Sequence, residues 1–281
     1  MSQTIHVAHS PDSDDAFMFF ALAKGLVDTE GLTYVHELQD IESLNQRALR
    51  GELDVTAVSI HAYASLTDRY TLLTSGASMG DGYGPRLVAR RTDGASGRAQ
   101  MRGKRIGIPG PMTSAYLALR LFEPDFIAIP MPFDRIEDAV VSGEVDLGLL
   151  IHEGQITFGD RDLHLVVDLG QWWLEETGLP LPLGGNVVRK DIERSIQQKI
   201  SRHLRASIKH ALDHRMEALN HAMQYARGLN LSKTDTFVGM YVNDWTLDYG
   251  DRGRQAIREF LARGVSAGLI AHAIDVQFVE D

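Results

Sequence analysis

The sequence predicts an α/β protein made of two similar lobes. The first observation is a repeat, since Gly51–Val55 reads GELDV and Gly143–Leu147 reads GEVDL, each leading from a helix pattern into an apolar strand. The second is that Ile5–Ala8 and Ile106–Ile108 are short apolar runs, each followed by a proline-containing loop and a helix pattern. Two similar strand–helix units in one chain suggest two α/β lobes that face each other across a cleft.

The composition limits the classes of function. With 281 residues, of which 44% are hydrophobic, the chain is long enough for two cores. It has no cysteine, which excludes disulfides, cysteine-ligated zinc and a thiol nucleophile. A formal charge of −10 argues against nucleic acid or an anionic membrane as a partner. A small carboxylate substrate stays possible, because backbone amides at a helix start can bind one.

No targeting or cofactor motif is found. The chain starts directly in a strand pattern and contains no apolar run long enough to span a membrane, so we expect a soluble, cytoplasmic protein. It also lacks the HExxH metal motif and the glycine-rich dinucleotide fingerprint. We therefore expect neither a metal nor a cofactor.

Polar residues end the two repeated strands. Val145–Ile151 is interpreted as a buried strand, and His152 follows its carboxyl end, where open parallel sheets bind ligands. The corresponding strand, Asp54–Val58, is followed by Ser59. If the lobes face each other, Ser59 and His152 lie across one cleft. The simpler alternatives are that His152 only caps a loop and that Ser59 is the N-cap of a short helix.

The first lobe offers two further groups of candidates. Ser10–Asp15 precedes a helix predicted from Ala16 to Lys24, and its side chains, Asp14 included, could cap that helix or bind a ligand hydroxyl. Capping is the favoured interpretation. Asn45 lies on the first turns of the helix that starts after Asp40, where it is either exposed or directed to the cleft.

The second lobe offers a helix start. Thr113 and Ser114 follow a Gly-Pro loop, so the backbone amides of Ser114 and Ala115 point away from the helix. They could bind an anion or carboxylate, or Thr113 could simply cap the helix.

Composition also predicts how the lobes are joined. Ser75–Arg91 holds four glycines and a proline, and we expect one crossing near Pro85–Arg91 and the return near Gly184–Arg189. The helical patterns after Asp191 should pack on the first lobe. The predicted lobes are residues 1–88 with 190–281, and residues 89–189.

A tryptophan pair stands out in the second lobe. Gly170–Gly184 contains Trp172, Trp173 and two prolines, which predicts a rigid apolar wall. Paired tryptophans usually pack in a core, but a flat aromatic ligand would need such a wall.

Six segments resemble the 1,4-dihydroxy-6-naphthoate synthase family, which acts in the futalosine route to menaquinone. The resemblance runs over most of the chain, and IHE and WWxxxTGLPLPLG are its most specific parts. The six segments are SPDSDDAFMFFAL, IESLNQRAL, DVTAVSIHAYA, GPMTSAYLALRLF, GLLIHEGQITF and DLGQWWLEETGLPLPLG. The resemblance implies a two-lobed, periplasmic-binding-protein-like (type II) fold. It also implies a carbon–carbon lyase that converts cyclic dehypoxanthine futalosine into 1,4-dihydroxy-6-naphthoate.

The resemblance also implies roles for single residues. His152 would be the general base, Ser59, Ser114 and Ala115 would hold polar groups of the ligand, and Asn45 would lie near the site. A neutral imidazole, with an ordinary pKa near 6.5, suits proton abstraction beside a carbonyl. One branch of the family reads SPCPNDTF where this chain has SPDSDDAF, so the resemblance gives Asp14 no role.

Two other functions stay open at this point. A solute-binding protein would share the architecture but would need export. Chorismate dehydratase, a sister enzyme of the same pathway, would share the lobes and act on another substrate. The IHE motif and the tryptophan segment favour the naphthoate synthase.

Overall fold

A computed structural model describes residues 3–90 and 97–280, and in these ranges the chain forms two mixed β-sheets with helices around them. The strands of the first sheet are β1 (Gln3–His9), β2 (Leu32–Leu38), β3 (Val55–Ser59), β4 (Tyr70–Leu72), β5 (Ser78–Gly80) and β11 (Leu181–Arg189). Those of the second sheet are β6 (Arg86–Ala89), β7 (Arg105–Ile108), β8 (Ile127–Pro130), β9 (Leu147–Leu150) and β10 (His164–Asp168).

The helices divide into those within the repeated units and a C-terminal group. The former are α1 (Ser13–Met18), α2 (Phe20–Ala23), α3 (Ile41–Leu49), α4 (Ile60–Tyr63), α5 (Gly97–Met101), α6 (Ser114–Phe122), α7 (Ile136–Ser142), α8 (Gly154–Thr157) and α9 (Leu169–Thr177). The latter are α10 (Arg194–Asp213), α11 (Arg215–Ala222), α12 (Leu231–Tyr241), α13 (Asp244–Leu247) and α14 (Gly250–Ser266).

The predicted repeat is confirmed by the strand order. The first sheet runs β2-β1-β3-β11 and the second β8-β7-β9-β6. In each, the first three strands are parallel and the fourth is antiparallel. In each sheet, a chain segment that joins the two sheets supplies the antiparallel strand next to the three parallel ones. This strand is β11 in the first sheet and β6 in the second.

The repeated GE(L/V)D motif has the same structural role in both copies. Asp54 accepts a hydrogen bond from the backbone N–H of His6, and Asp146 accepts one from that of Arg105. Both carboxylates thus bind the backbone of the neighbouring parallel strand. Gly51 and Gly143 have φ of 73° and 81°, the left-handed conformation that ends the preceding helix and favours glycine.

The crossings lie earlier than predicted. The chain leaves the first sheet after Gly80 and enters the second at Arg86, so residues 81–85 form the crossing and most of the predicted Pro85–Arg91 segment is strand β6; Arg91 itself lies outside the described residues. The predicted return at Gly184–Arg189 is also wrong, because these residues lie within β11, between β3 and β4. The lobe boundaries proposed from the sequence stay a prediction.

The first helix also starts earlier than predicted. It begins at Ser13 instead of Ala16 and is followed after Phe19 by the separate α2. Asp12 occupies the N-cap position with an extended backbone, and Asp14 and Asp15 lie in the first turn, where negative charge favours a helix start. The favoured capping role is wrong, because no side chain caps this helix.

The C-terminal helices pack on the first sheet, as predicted. Side chains of β1, α1 and α2 share a buried core with Leu204, Ile208, Leu219 and Val238 of the tail. The last long helix, α14, buries Ile257 and Phe260 in the core that also includes residues of both sheets. None of the helices in the described ranges is long and apolar enough to cross a membrane.

Gly170 of α9 packs so closely against the first crossing that no side chain fits at this position, which gives a test of the fold. A methyl group at Gly170 would lie 1.8 Å from the carbonyl oxygen of Tyr83. Because that contact is with backbone, we expect Gly170→Ala to lower the free energy of unfolding by about 2 kcal/mol or more. The measurement is urea denaturation, with Gly159→Ala as the control, since that methyl group would meet nothing within 4 Å. Equal midpoints for the two variants would contradict the packing.

Candidate active site

A cavity that is partly open to solvent lies between the two sheets. The first sheet and its helices supply side chains at the ends of β1, β3 and β11, and the second supplies those at the start of α6 and after β9. Its polar lining residues are Ser10, Asp12, Asp14, Asp15, Ser59, Ser78, Thr113, Ser114, His152, Gln155, Asn186 and Tyr241. The cavity lies where ligands bind in open α/β sheets, at the carboxyl ends of β1, β3, β7 and β9.

The structure brings nearly all predicted site residues together. Those that line the cavity are Asp14, Ser59, Thr113, Ser114, Ala115 and His152. Asn45 is the exception, since its side chain is fully buried beside the cavity.

Asn45 binds Ser59 through both ends of its amide. Its Nδ2 donates to Ser59 Oγ at 3.1 Å and its Oδ1 accepts from the Ser59 backbone N–H at 2.9 Å. Ser59 is the N-cap residue of α4, as the simpler interpretation suggested, but its side chain makes no capping bond. The Ser59 hydroxyl is therefore fixed in place by Asn45 and keeps its own proton to donate.

The start of α6 contains two hydroxyls that bind protein groups and two backbone amides that are left for a ligand. Thr113 caps the helix, with its Oγ1 accepting from the Tyr116 N–H at 3.2 Å. Ser114 Oγ accepts from the His61 N–H and donates to the Leu183 carbonyl, so it bridges the two sheets. The first-turn amides of Ser114 and Ala115 have no acceptor within their own helix.

His152 adopts an uncommon backbone conformation. Its φ is 53°, in the left-handed region, which costs a non-glycine residue roughly 1 kcal/mol. The Gln155 amide supports this turn, with its oxygen 3.1 Å from the His152 backbone N–H and its nitrogen 2.6 Å from the Gly84 carbonyl. The imidazole packs edge to face against Phe133, with 4.8 Å between ring centres.

The two imidazole nitrogens of His152 differ. Nδ1 lies 3.1 Å from Oδ2 of Asp12, whose other oxygen lies 2.5 Å from the Arg227 guanidinium. Nε2 is buried and has no hydrogen-bond partner within the part of the chain that the structure describes. Since Nδ1 is already paired, Nε2 is the nitrogen that is left to accept a proton.

Sequence reasoning missed the contributions of Asp12 and Arg227. Asp12 was one of several capping candidates, and Arg227 lies in the helical tail, after α11. The Arg227 guanidinium also lies over the ring of Phe133, 4.4 Å from its centre. No pattern in the sequence connects positions so far apart, although three acidic residues among the four of Asp12–Asp15, next to an apolar run, could have indicated buried charge.

Burial dominates the electrostatics of the site. It raises the pKa of Asp14 to about 7, with the charge of Asp12 adding to the shift and His152 opposing it. It raises the pKa of Asp12 to about 6, opposed by Arg227, and holds the pKa of Asp15 well above its ordinary range. It lowers the pKa of His152, against the pull of Glu153 and Asp14. At pH 7 the imidazole is therefore neutral and able to act as a base.

The tryptophan pair does not form a wall of the cavity, which corrects that alternative. Trp173 is fully buried, and its indole N–H donates to the Pro180 carbonyl at 3.1 Å. Trp172 packs against Phe122. The end of the same segment, Leu183–Gly185, lines the cavity instead.

No metal site is recognisable in residues 3–90 and 97–280, where no three His, Cys, Asp or Glu side chains are grouped as metal ligands. The absence of a cofactor stays a prediction from the sequence.

Comparison with known proteins assigns the chain to a family. The sequence profile of the menaquinone biosynthesis family matches residues 5–266. The chain belongs to the menaquinone biosynthesis family. The match confirms the menaquinone pathway that the six sequence segments indicated.

Two relatives carry the name 1,4-dihydroxy-6-naphtoate synthase. The protein from Thermus thermophilus is 38% identical, over 96% of this chain and 97% of its own length. The protein from Streptomyces coelicolor is 35% identical, over 96% of this chain and 95% of its own length. These names agree with the predicted activity and do not address the role of His152.

Solved structures confirm the fold class. A protein from Archaeoglobus fulgidus is similar with a TM-score of 0.91 and 46% identity, covering 95% of this chain and 98% of that one. A periplasmic sulfonate-binding protein from Methylobacillus flagellatus KT is similar with a TM-score of 0.67 and 16% identity, covering 98% of this chain and 90% of that one. The menaquinone family member therefore has the periplasmic-binding-protein-like fold that its sequence predicted.

The buried carboxyl of Asp14 gives a pH-dependent prediction. A raised pKa means that the folded protein binds the proton more tightly than the unfolded chain, so stability falls as the pH rises from about 4 to about 7. Asp14→Asn removes this cost. We expect the variant to gain on the order of 2 kcal/mol at pH 8 and clearly less at pH 5.

Urea denaturation at the two pH values measures this gain, and Asp134→Asn, an exposed carboxylate on the second lobe, is the control. A gain that is the same at both pH values, or a loss at pH 8, would contradict a buried carboxyl with a raised pKa.

Proposed function

We propose that this protein is a carbon–carbon lyase that converts cyclic dehypoxanthine futalosine into 1,4-dihydroxy-6-naphthoate, in the cytoplasm and without a cofactor. The observation that carries the proposal is the His152 imidazole, which lines the cavity with Nδ1 paired and Nε2 without a partner in the described part of the chain. Detaching a ribose-derived fragment and aromatising the remainder requires proton abstraction beside a carbonyl, and a neutral imidazole supplies a suitable base.

In this proposal the substrate carboxylate binds at the start of α6. The helix begins at Ser114, so the first-turn amides carry the partial positive charge of the helix end. Ser59 Oγ lines the same cavity and is fixed by Asn45. Together these donors support binding of a small carboxylate in a protein with a net charge of −10.

In this proposal Asp14 binds hydroxyl groups of the substrate. Its Oδ1 is buried, and no hydrogen-bond partner is found for it among the described residues. With a pKa near 7, this carboxyl can accept from a hydroxyl when ionised and donate to one when protonated. A polar ligand group at this position would relieve the cost of burying Asp14.

In this proposal the flat ring system of the substrate lies against Leu183–Gly185 of β11. Gly184 has no side chain and lines the cavity between Val58 and Ser78, which line it as well. A planar ring can lie directly on the backbone at this position.

The deciding experiment compares substrates. The purified protein is incubated separately with cyclic dehypoxanthine futalosine and with chorismate, and the products are separated by chromatography. Formation of 1,4-dihydroxy-6-naphthoate from the first compound alone is the expected result. Turnover of chorismate would indicate chorismate dehydratase, and binding without turnover of either compound would indicate a solute-binding protein.

Replacing the base is the first prediction for this activity. His152→Asn should lower kcat by about 10²-fold or more, the usual effect of losing a general base, with a smaller change in KM. Steady-state kinetics measure the loss. His164→Asn, at an exposed strand position, is the matched control and should keep normal turnover. Near-normal turnover by a folded His152→Asn protein would remove His152 from the mechanism.

Adding one methyl group at the proposed ring position is the second. At Gly184 a methyl group would contact Val58 and Ser78 at 3.6 Å or more, so the fold should accept it. It would occupy space that the ring needs, and we expect Gly184→Ala to raise KM about 10-fold while changing stability by less than about 1 kcal/mol. Kinetics and thermal unfolding check both expectations. An unchanged KM would place the ring elsewhere in the cavity.

A further inference from the structure

We infer that Asp12 is a positioning residue for proton transfer, which holds the His152 imidazole in the tautomer with the proton on Nδ1 and so leaves Nε2 as the base. The inference rests on the proposed function of His152. It gives a role to Asp12, which the sequence presented as one of several residues that could cap a helix or bind a ligand hydroxyl.

The contact between the two side chains sets the tautomer. Asp12 Oδ2 lies 3.1 Å from His152 Nδ1. An ionised carboxylate at this distance is an acceptor only, so it favours the tautomer with the proton on Nδ1. The arrangement is that of other carboxylate–histidine pairs, in which the carboxylate orients the ring and stabilises the imidazolium that forms.

Arg227 keeps Asp12 in the accepting form. Asp12 is 1% exposed, and burial alone would favour its protonated form. The guanidinium lies 2.5 Å from Oδ1, the oxygen that does not contact His152. Because Arg227 stays charged and also lies over the Phe133 ring, it supports the ionised carboxylate from a fixed position.

The pair joins the two lobes. Asp12 precedes α1 and belongs to the first sheet's unit, whereas His152 follows β9 of the second. Arg227 comes from the C-terminal helices that pack on the first sheet. The His152 ring is thus oriented by groups of the opposite lobe, and its own lobe supplies mainly the apolar contact with Phe133.

The test is a tautomer measurement combined with kinetics. In protein labelled with 15N-histidine, the signals that disappear in His152→Asn identify this imidazole. We expect the nitrogen that carries no proton, the one of pyridine type, to be Nε2 in the wild-type protein at pH 7.5. A wild-type imidazole with its proton on Nε2 would overturn the inference without need of any Asp12 variant.

Asp12→Asn then tests the consequence for catalysis. With the amide oxygen facing Arg227, the amide N–H group faces His152 Nδ1 and favours the opposite tautomer. We expect the proton to move to Nε2 and kcat to fall by about 10³-fold, with KM changed less than about 5-fold. Asp134→Asn carries the same charge change on the second lobe and should leave both the tautomer and kcat unchanged.

The outcomes separate this inference from the proposed function. If His152→Asn keeps its turnover, the histidine base itself is wrong. If His152→Asn is inactive while Asp12→Asn keeps kcat and the wild-type tautomer, the base stands and the role of Asp12 is refuted. Should Asp12→Asn fail to fold by circular dichroism, the wild-type tautomer still decides, because a proton on Nε2 refutes the role of Asp12 and a proton on Nδ1 supports it.

Discussion

The buried Asp12 carboxylate between Arg227 and His152 is the interaction on which the rest of the site depends. A charge removed from water is costly unless partners surround it, and Asp12 has one partner on each oxygen. The two partners come from distant parts of the chain, one after the second sheet's β9 and one from the C-terminal helices. The position of each element is therefore constrained by one carboxylate, and the same contact defines which imidazole nitrogen is free.

The fold could be predicted from the sequence because its signals are local. The paired GE(L/V)D motifs, the apolar strands behind them and the helix start at Thr113 each depend on residues within a few positions. The repeat then indicated two lobes. The crossings were misplaced because Gly184 and Gly185 resemble a flexible joint in sequence, whereas in the structure they pair with β3 in the middle of a sheet. Long-range pairing decides such a segment, and local composition does not reveal it.

The site was predictable in part for the same reason. Ser59, Ser114 and His152 follow strands or begin helices, so their place at the strand ends followed from the pattern. Asn45 acts indirectly, through Ser59, and a sequence cannot show which of two neighbouring polar residues faces a ligand. Asp12 resembled an ordinary cap, and its pairing with Arg227 depends on how the tail packs. The tryptophans pack in the core and do not form the predicted wall for a ligand. Gly184 and Gly185, which follow them, line the cavity instead.

Like charges also face each other across the cleft. Glu153, which follows His152, is 6% exposed; burial raises its pKa, and the charge of Asp12 raises it further. The charges of Asp12 and Glu153 also add to the raised pKa of Asp14. Each carboxyl therefore ionises less readily than it would in water, because burial and like charge both oppose its ionised form. The Arg227 guanidinium is the counter-charge, since it opposes the raised pKa of Asp12 and of Glu153 alike. One cation from the C-terminal part of the chain thus balances acidic groups that two separate segments bring to the cavity.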